Sequence, residues 1–215
     1  MKNLQMCILL IMLTSILSCA VQDLPIIQNQ TATGTAVYVN PANGNDSETG
    51  RDINKPIKTF SRAGVVANAG DTVFIIGGHY TAFKDEFKRT DPGTERIYIM
   101  PYANSQVILD GAGYNFTQTW EAIFKIESSK YITLQNITLQ NNSVGGGLLV
   151  NSDSYYANQS EYVELRNCTV SNVQYEGIKI QGSNALVEEC EVFNACLMNR
   201  NFMSTTFHPV ALVSF

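Results

Sequence analysis

Tyr98, Lys125 and Lys179 form a set that could grip an extended ligand. Each sits between large apolar residues, in Ile97-Tyr98-Ile99, Phe124-Lys125-Ile126 and Ile178-Lys179-Ile180. Successive side chains of a strand point to opposite faces, so the central residue faces water when its neighbours face a core. Two ammonium groups on one stripe could pair with anionic groups spaced along an extended ligand, and a tyrosine ring could support an apolar face. Leu149 belongs to the same stripe, with Glu127, Asn151 and Gln181 beside it. The alternative is a solvated face that does no chemistry.

Other constellations are weaker. Glu188 and Glu189 are adjacent, so they point different ways and cannot act as a facing acid pair. Asn43-Gly44-Asn45-Asp46-Ser47 is rich enough in oxygen for weak Ca²⁺ binding, but it suits an Asx-turn loop better. His79 and His208 leave little scope for a histidine metal site. No Ser/His/Asp set, phosphate loop or Cys-x-x-Cys spacing is apparent. No catalytic residue, metal ligand or cofactor site is therefore assigned. Lys plus Arg is 14 against 19 for Asp plus Glu, a net charge of −5, which argues against a nucleic-acid partner. With 45% hydrophobic and 15% charged residues, the chain has the apolar content of a folded core.

The stripe depends on a repeat. Tyr131–Leu139, Glu161–Val170 and Asn184–Val192 align, placing Leu134, Leu165 and Val187 in one column. Ile137, Cys168 and Cys190 form a second column, and Leu139, Val170 and Val192 a third. A preceding strand repeats as Phe124–Ile126, Leu148–Val150 and Ile178–Ile180, with Ile97–Ile99 and Val73–Ile75 read as earlier copies. Three short strands per turn of about 24 residues is the arithmetic of a solenoid whose rungs are spaced ~4.8 Å apart. The expected fold is all-β: a right-handed parallel β-helix of three-strand rungs with an N-terminal capping helix. Lys125 and Lys179 would then lie two rungs apart, ~9.6 Å.

Asn136 and Asn167 fall at the bend between strands, where asparagine tolerates left-handed backbone and can bond to the next rung. Glu189 takes the same slot and should end that ladder. Cys168 and Cys190 should stack with Ile137 as free inward thiols, because side chains on in-register parallel strands do not converge as a disulfide requires. Residues 57–69 place Phe60, Ala63, Gly64 and Ala67 at helical spacing, as a lid over the first rung would need.

The first residues carry an address. Lys2, an apolar run from Met6 to Leu17 and a small-residue exit make a secretory signal. Ile16-Leu17-Ser18-Cys19 resembles a bacterial lipobox, which makes Cys19 the lipidation site. Residues 1–19 are thus read as a lipoprotein signal, 20–36 as a tether and 37–215 as the coil. The expected location is extracellular or cell-surface, as a bacterial outer-membrane lipoprotein touching the membrane only through its lipid. Pro209–Phe215 reads as a strand that stops mid-rung, so the coil is expected to be incomplete at its C-terminus.

Tyr38–Asp46, Lys55–Phe60, Gly70–Val73 and Gly77–Tyr80 follow in an order that resembles the entrance to right-handed β-helix proteins of the pectate-lyase superfamily. The likeness is greatest to the branch containing polysaccharide lyases of family 9, and it spans roughly residues 37–194. It implies an open groove for an extended polysaccharide. In lyases of that family, Ca²⁺ held by several Asp acidifies a uronate C5 proton and a Lys removes it. This sequence has no Asp-Asp pair and no Asp after Asp153. The resemblance thus implies an exported protein that acts on or binds acidic polysaccharide, with the catalytic rungs, and any calcium, belonging to a longer chain. The alternative is a non-catalytic surface β-helix that binds glycans or a partner.

Overall fold

The computed structural model describes residues 34–89, 93–151 and 159–196. Short parallel strands in these segments wind into a coil. β1 (Ala36–Val39) precedes a helix, α1 (Phe60–Val66). The rungs that follow are β2 (Thr72–Ile75), β3 (Gly78–Tyr80) and β4 (Asp85–Lys88); β5 (Ile97–Pro101), β6 (Val107–Asp110) and β7 (Ala122–Glu127); and β8 (Ile132–Gln135), β9 (Thr138–Asn142) and β10 (Gly146–Asn151). Next come β11 (Glu164–Arg166), β12 (Thr169–Val173) and β13 (Ile178–Ile180), then β14 (Leu186–Glu188) and β15 (Glu191–Phe193). Like strands stack into three sheets: a six-stranded first sheet β1-β2-β5-β8-β11-β14, a five-stranded second sheet β3-β6-β9-β12-β15, and a four-stranded third sheet β4-β7-β10-β13. This is a parallel β-helix of three-strand rungs.

Alternation fills the interior. Val73, Ile99, Leu134 and Leu165 from the first sheet are fully buried, with Leu109, Leu139 and Val170 from the second and Phe87, Phe124 and Ile126 from the third. Each such side chain contributes roughly 1.5–3 kcal/mol by leaving water. Corners rely on left-handed backbone. Asn136 (φ 59), Asn167 (φ 48) and Glu189 (φ 53) turn the chain from the first sheet to the second. Asn167 Nδ2 donates to Asn136 Oδ1 at 2.8 Å, the ladder the repeat implies. A second ladder closes the far edge of the second sheet, where Asn194 Nδ2 donates to Asn172 Oδ1 at 3.2 Å. Cys168 and Cys190 are free thiols on successive rungs, with Cys168 buried and its backbone N–H 3.4 Å from Cys190 Sγ.

Two details depart from the expectations. Val73–Ile75 and Ile97–Ile99 are not earlier copies of the Phe124 strand. Val73 pairs with Ile99 and Ile99 with Leu134, all in the first sheet. The strand preceding β7 is β4, where Asp85 pairs with Phe124 and Phe87 with Ile126. Asp-Glu-Phe-Lys carries one apolar residue and so lacks the alternation that marks the other strands. Paired strands also lie at different separations along the chain, from 22 residues between Glu164 and Leu186 to 39 between Asp85 and Phe124, so a fixed period misassigns the early turns.

The helix is shorter than residues 57–69. Thr59 caps its start by accepting from Arg62 N, and Ala67 ends it in extended backbone. Ile57 instead forms a bridge with Val39. Phe60 is fully buried, its ring 4.8 Å from Phe124 and 6.1 Å from Phe83. A Cβ on Gly64 would come within 2.3 Å of the Lys88 carbonyl oxygen, so the helix lies directly on β4, the first strand of the third sheet.

Candidate functional site

The outer faces of the three sheets differ in chemistry. On the third, Lys125, Leu149 and Lys179 stack in one column as expected. Both ammonium groups stand in ion pairs. Lys125 Nζ lies 2.7 Å from Glu86 and 2.5 Å from Glu127, while Lys88 reaches Glu127 at 2.9 Å. Lys179 pairs with Glu176 at 3.2 Å. Burial alone would lower the Lys125 pKa, but Glu127 and Glu86 outweigh it and hold the pKa above the usual lysine range. Tyr98 does not join them. It lies in the first sheet, between Thr72 and Thr133, so the structure separates the expected trio.

That first sheet carries its own charge ladder. Arg96 meets Glu164 at 2.9 Å, Arg166 meets Glu164 at 3.0 Å, and Arg166 continues to Glu188. Lys130 and Glu161 extend it at 3.0 Å. Side chains from neighbouring rungs therefore neutralise one another along two of the three faces.

The second sheet is different. Its outward column runs His79, Ile108, Thr138, Thr169, Glu191. Thr138 and Thr169 line a groove of about 420 Å³ with Pro101, Asn104, Ser105, Asn136, Ile137 and Asn167. Amides, hydroxyls and short apolar groups make up that lining, and none of them is charged. A second groove, of about 350 Å³, lies at the head of the same sheet, where Lys58, Thr59, His79, Thr81, Lys84 and Asp85 are among its walls.

His79 is held there by a buried acid. Its Nε2 is 2.7 Å from Asp110 Oδ2, and Asp110 is 3% exposed. The carboxylate also accepts from Gln140 Nε2 at 2.7 Å, Asn141 Nδ2 at 2.9 Å and Ala112 N at 2.8 Å. Burial raises its pKa, but the hydrogen bonds from Gln140, Ala112, Asn141 and His79 together bring it down to about 2. An ionised carboxylate only accepts, so His79 Nε2 donates in this bond, from a half-exposed ring. The sequence hides this pair, because His79 and Asp110 meet only once Gly78–Tyr80 is known to be a strand beside Val107–Asp110.

Among the described residues no three of His, Cys, Asp and Glu are grouped to hold a metal. In the Asn43–Ser47 loop, Asp46 accepts from Lys58 N, Thr59 N and Thr59 Oγ1, and Asn45 forms an Asx turn to Ser47. Those bonds bind the loop to the start of α1 and leave no oxygen cage. Cys19 and the expected strand Pro209–Phe215 lie outside the described residues.

This architecture defines a parallel β-helix, and solved structures agree at the level of fold. The chain is similar to the GH136 lacto-N-biosidase from Eubacterium ramulus, with 15% identity and a TM-score of 0.57 over 75% of this chain and 34% of that one. It is also similar to pectate lyase Pel9A (17% identity, TM-score 0.49, 73% of this chain and 47% of that one) and to a rhamnogalacturonan lyase (17%, 0.43, 74% and 52%). The chain thus spans about a third of the lacto-N-biosidase chain. No protein-family model matches it. No curated protein matches it either.

Proposed function

We propose that this chain binds polysaccharide along the outer face of its second sheet, as an exported protein held at a cell surface through lipidated Cys19. The uncharged groove over the first-to-second-sheet corner carries the reading. Thr138 and Thr169 offer hydroxyl groups in register along the coil axis, ~4.8 Å apart, and Asn104 and Ser105 add an amide and a hydroxyl to the groove wall. A glycan presents hydroxyl groups repeatedly along its length, so a repeating polar floor suits it. The fold shared with a lacto-N-biosidase supports carbohydrate as the ligand class. The Lys125–Lys179 column supports a polyuronate less well, because Glu86, Glu127 and Glu176 already occupy its cations. The ligand read here is a hydroxyl-rich stretch of glycan, and the role is binding.

Affinity electrophoresis through gels containing galactan, xylan or polygalacturonate tests this. Retardation by at least one of them is expected, lost in Thr138→Glu/Thr169→Glu and kept in Lys125→Ala/Lys179→Ala. The reverse pattern would return the site to the lysine column.

A further inference from the structure

The corner between the second and third sheets is short in one rung, residues 81–84, and short again at 143–145. Between them residues 111–121 make a longer loop, which carries Trp120, the single tryptophan of the chain. Trp120 is 71% exposed and Tyr114, in the same loop, 38%.

The loop is nevertheless pinned. Glu121 Oε2 accepts from Thr117 N at 2.7 Å and Gln118 N at 2.9 Å, and its other oxygen takes Lys84. Lys84, Thr117 and Gln118 outweigh partial burial and bring the Glu121 pKa to about 2, so this clasp is ionised at neutral pH. Phe116 is buried with its ring 4.7 Å from Tyr114, and Lys84 Nζ stands 5.4 Å from the centre of the Tyr114 ring. Ala82 N donates to the Ala112 carbonyl at 2.8 Å. Ala82 and Lys84 also line the groove that holds His79, so the loop is continuous with that groove's wall.

We propose that Trp120, exposed on the loop that borders the His79 groove, forms a stacking subsite for one pyranose ring of a glycan lying across the outer face of the second sheet. The inference rests on the glycan reading above. A pyranose has an apolar C–H face, which matches an exposed indole, and a rim of hydroxyl groups. The local charges of Lys84 and Glu121 cancel, which suits an uncharged ring over an ion. Two aromatic side chains offer far less than the roughly 800 Å² per partner of a stable protein interface. A loop already fixed by Glu121 and Phe116 gives up little freedom when a ligand arrives.

A single tryptophan makes intrinsic fluorescence a direct reporter. Titration with whichever of galactan, xylan or polygalacturonate retards the protein should give a saturable emission change. Trp120→Ala should weaken binding about tenfold, the equivalent of ~1.4 kcal/mol, with an unchanged melting temperature. Trp120→Phe should recover part of the loss. Retardation with flat emission and full affinity in Trp120→Ala would overturn the subsite and leave the glycan reading standing. Neither retardation nor emission change with all three polymers would overturn both.

Discussion

At neutral pH the Asp110 carboxylate is ionised and almost out of reach of water. Four donors compensate its burial, and their effect has a sign that can be tested. Its folded pKa of about 2 lies below the ordinary 3.8, so the native state binds fewer protons than the unfolded chain around pH 3. The stability it contributes, about 2 kcal/mol, is present above pH ~4 and lost as pH falls toward 2. Asp110→Asn should therefore destabilise the protein by roughly 2 kcal/mol in urea unfolding at pH 7, and by much less at pH 2.5. An equal loss at both values would show that the charge does not matter. Asn167 gives a second test. Its backbone is left-handed and its amide bonds to Asn136. Asn167→Ala should cost about 2 kcal/mol, from the ladder and the backbone together, whereas Asn167→Gly should cost about 1, from the ladder alone. Equal losses in thermal melts would remove the backbone part of that account.

The helix α1 is a lid because of one face. Phe60, Ala63 and Gly64 are buried on β4, while Val65 is 72% exposed. Phe60→Ala should lose about 3–5 kcal/mol and solubility with it, and Val65→Ala should stay within roughly 0.5 kcal/mol, both read from urea midpoints. A soluble, fully stable Phe60→Ala protein would show that the helix does not close the coil. Elements of this kind were legible in sequence wherever their pattern was local. The Phe124, Leu148 and Ile178 strands, the asparagine bends and the Cys168–Cys190 stack follow from alternation and spacing alone. β4 did not, because Asp85, Glu86 and Lys88 leave Phe87 without apolar company. The partners of Lys125 and His79 were hidden for a related reason. Glu86 and Asp110 reach them from neighbouring rungs, and the loop lengths that fix such registers are not written in the strands.

Across the whole coil, charge is arranged by face. The first and third sheets join outward charges in ion pairs within and between rungs, and the second leaves hydroxyl and amide groups along its middle rungs. Exposed pairs of that kind contribute little stability each, typically 0–1 kcal/mol. Their consequence is to leave two faces electrically satisfied. Glycan binding that does not draw on free ammonium groups should change less than about twofold between 50 and 500 mM salt, although screening tightens strongly over that range. A steep salt dependence in affinity electrophoresis would point back to the lysine column. The most direct measurement is amide chemical-shift mapping of the ¹⁵N-labelled protein during titration with oligosaccharides of the retarding polymer. The account predicts shifts clustered at Asn104, Ser105, Thr138, Thr169 and the 111–121 loop, with Lys125, Leu149 and Lys179 unmoved. Shifts centred on Lys125, Leu149 and Lys179, with Thr138 and Thr169 silent, would contradict it.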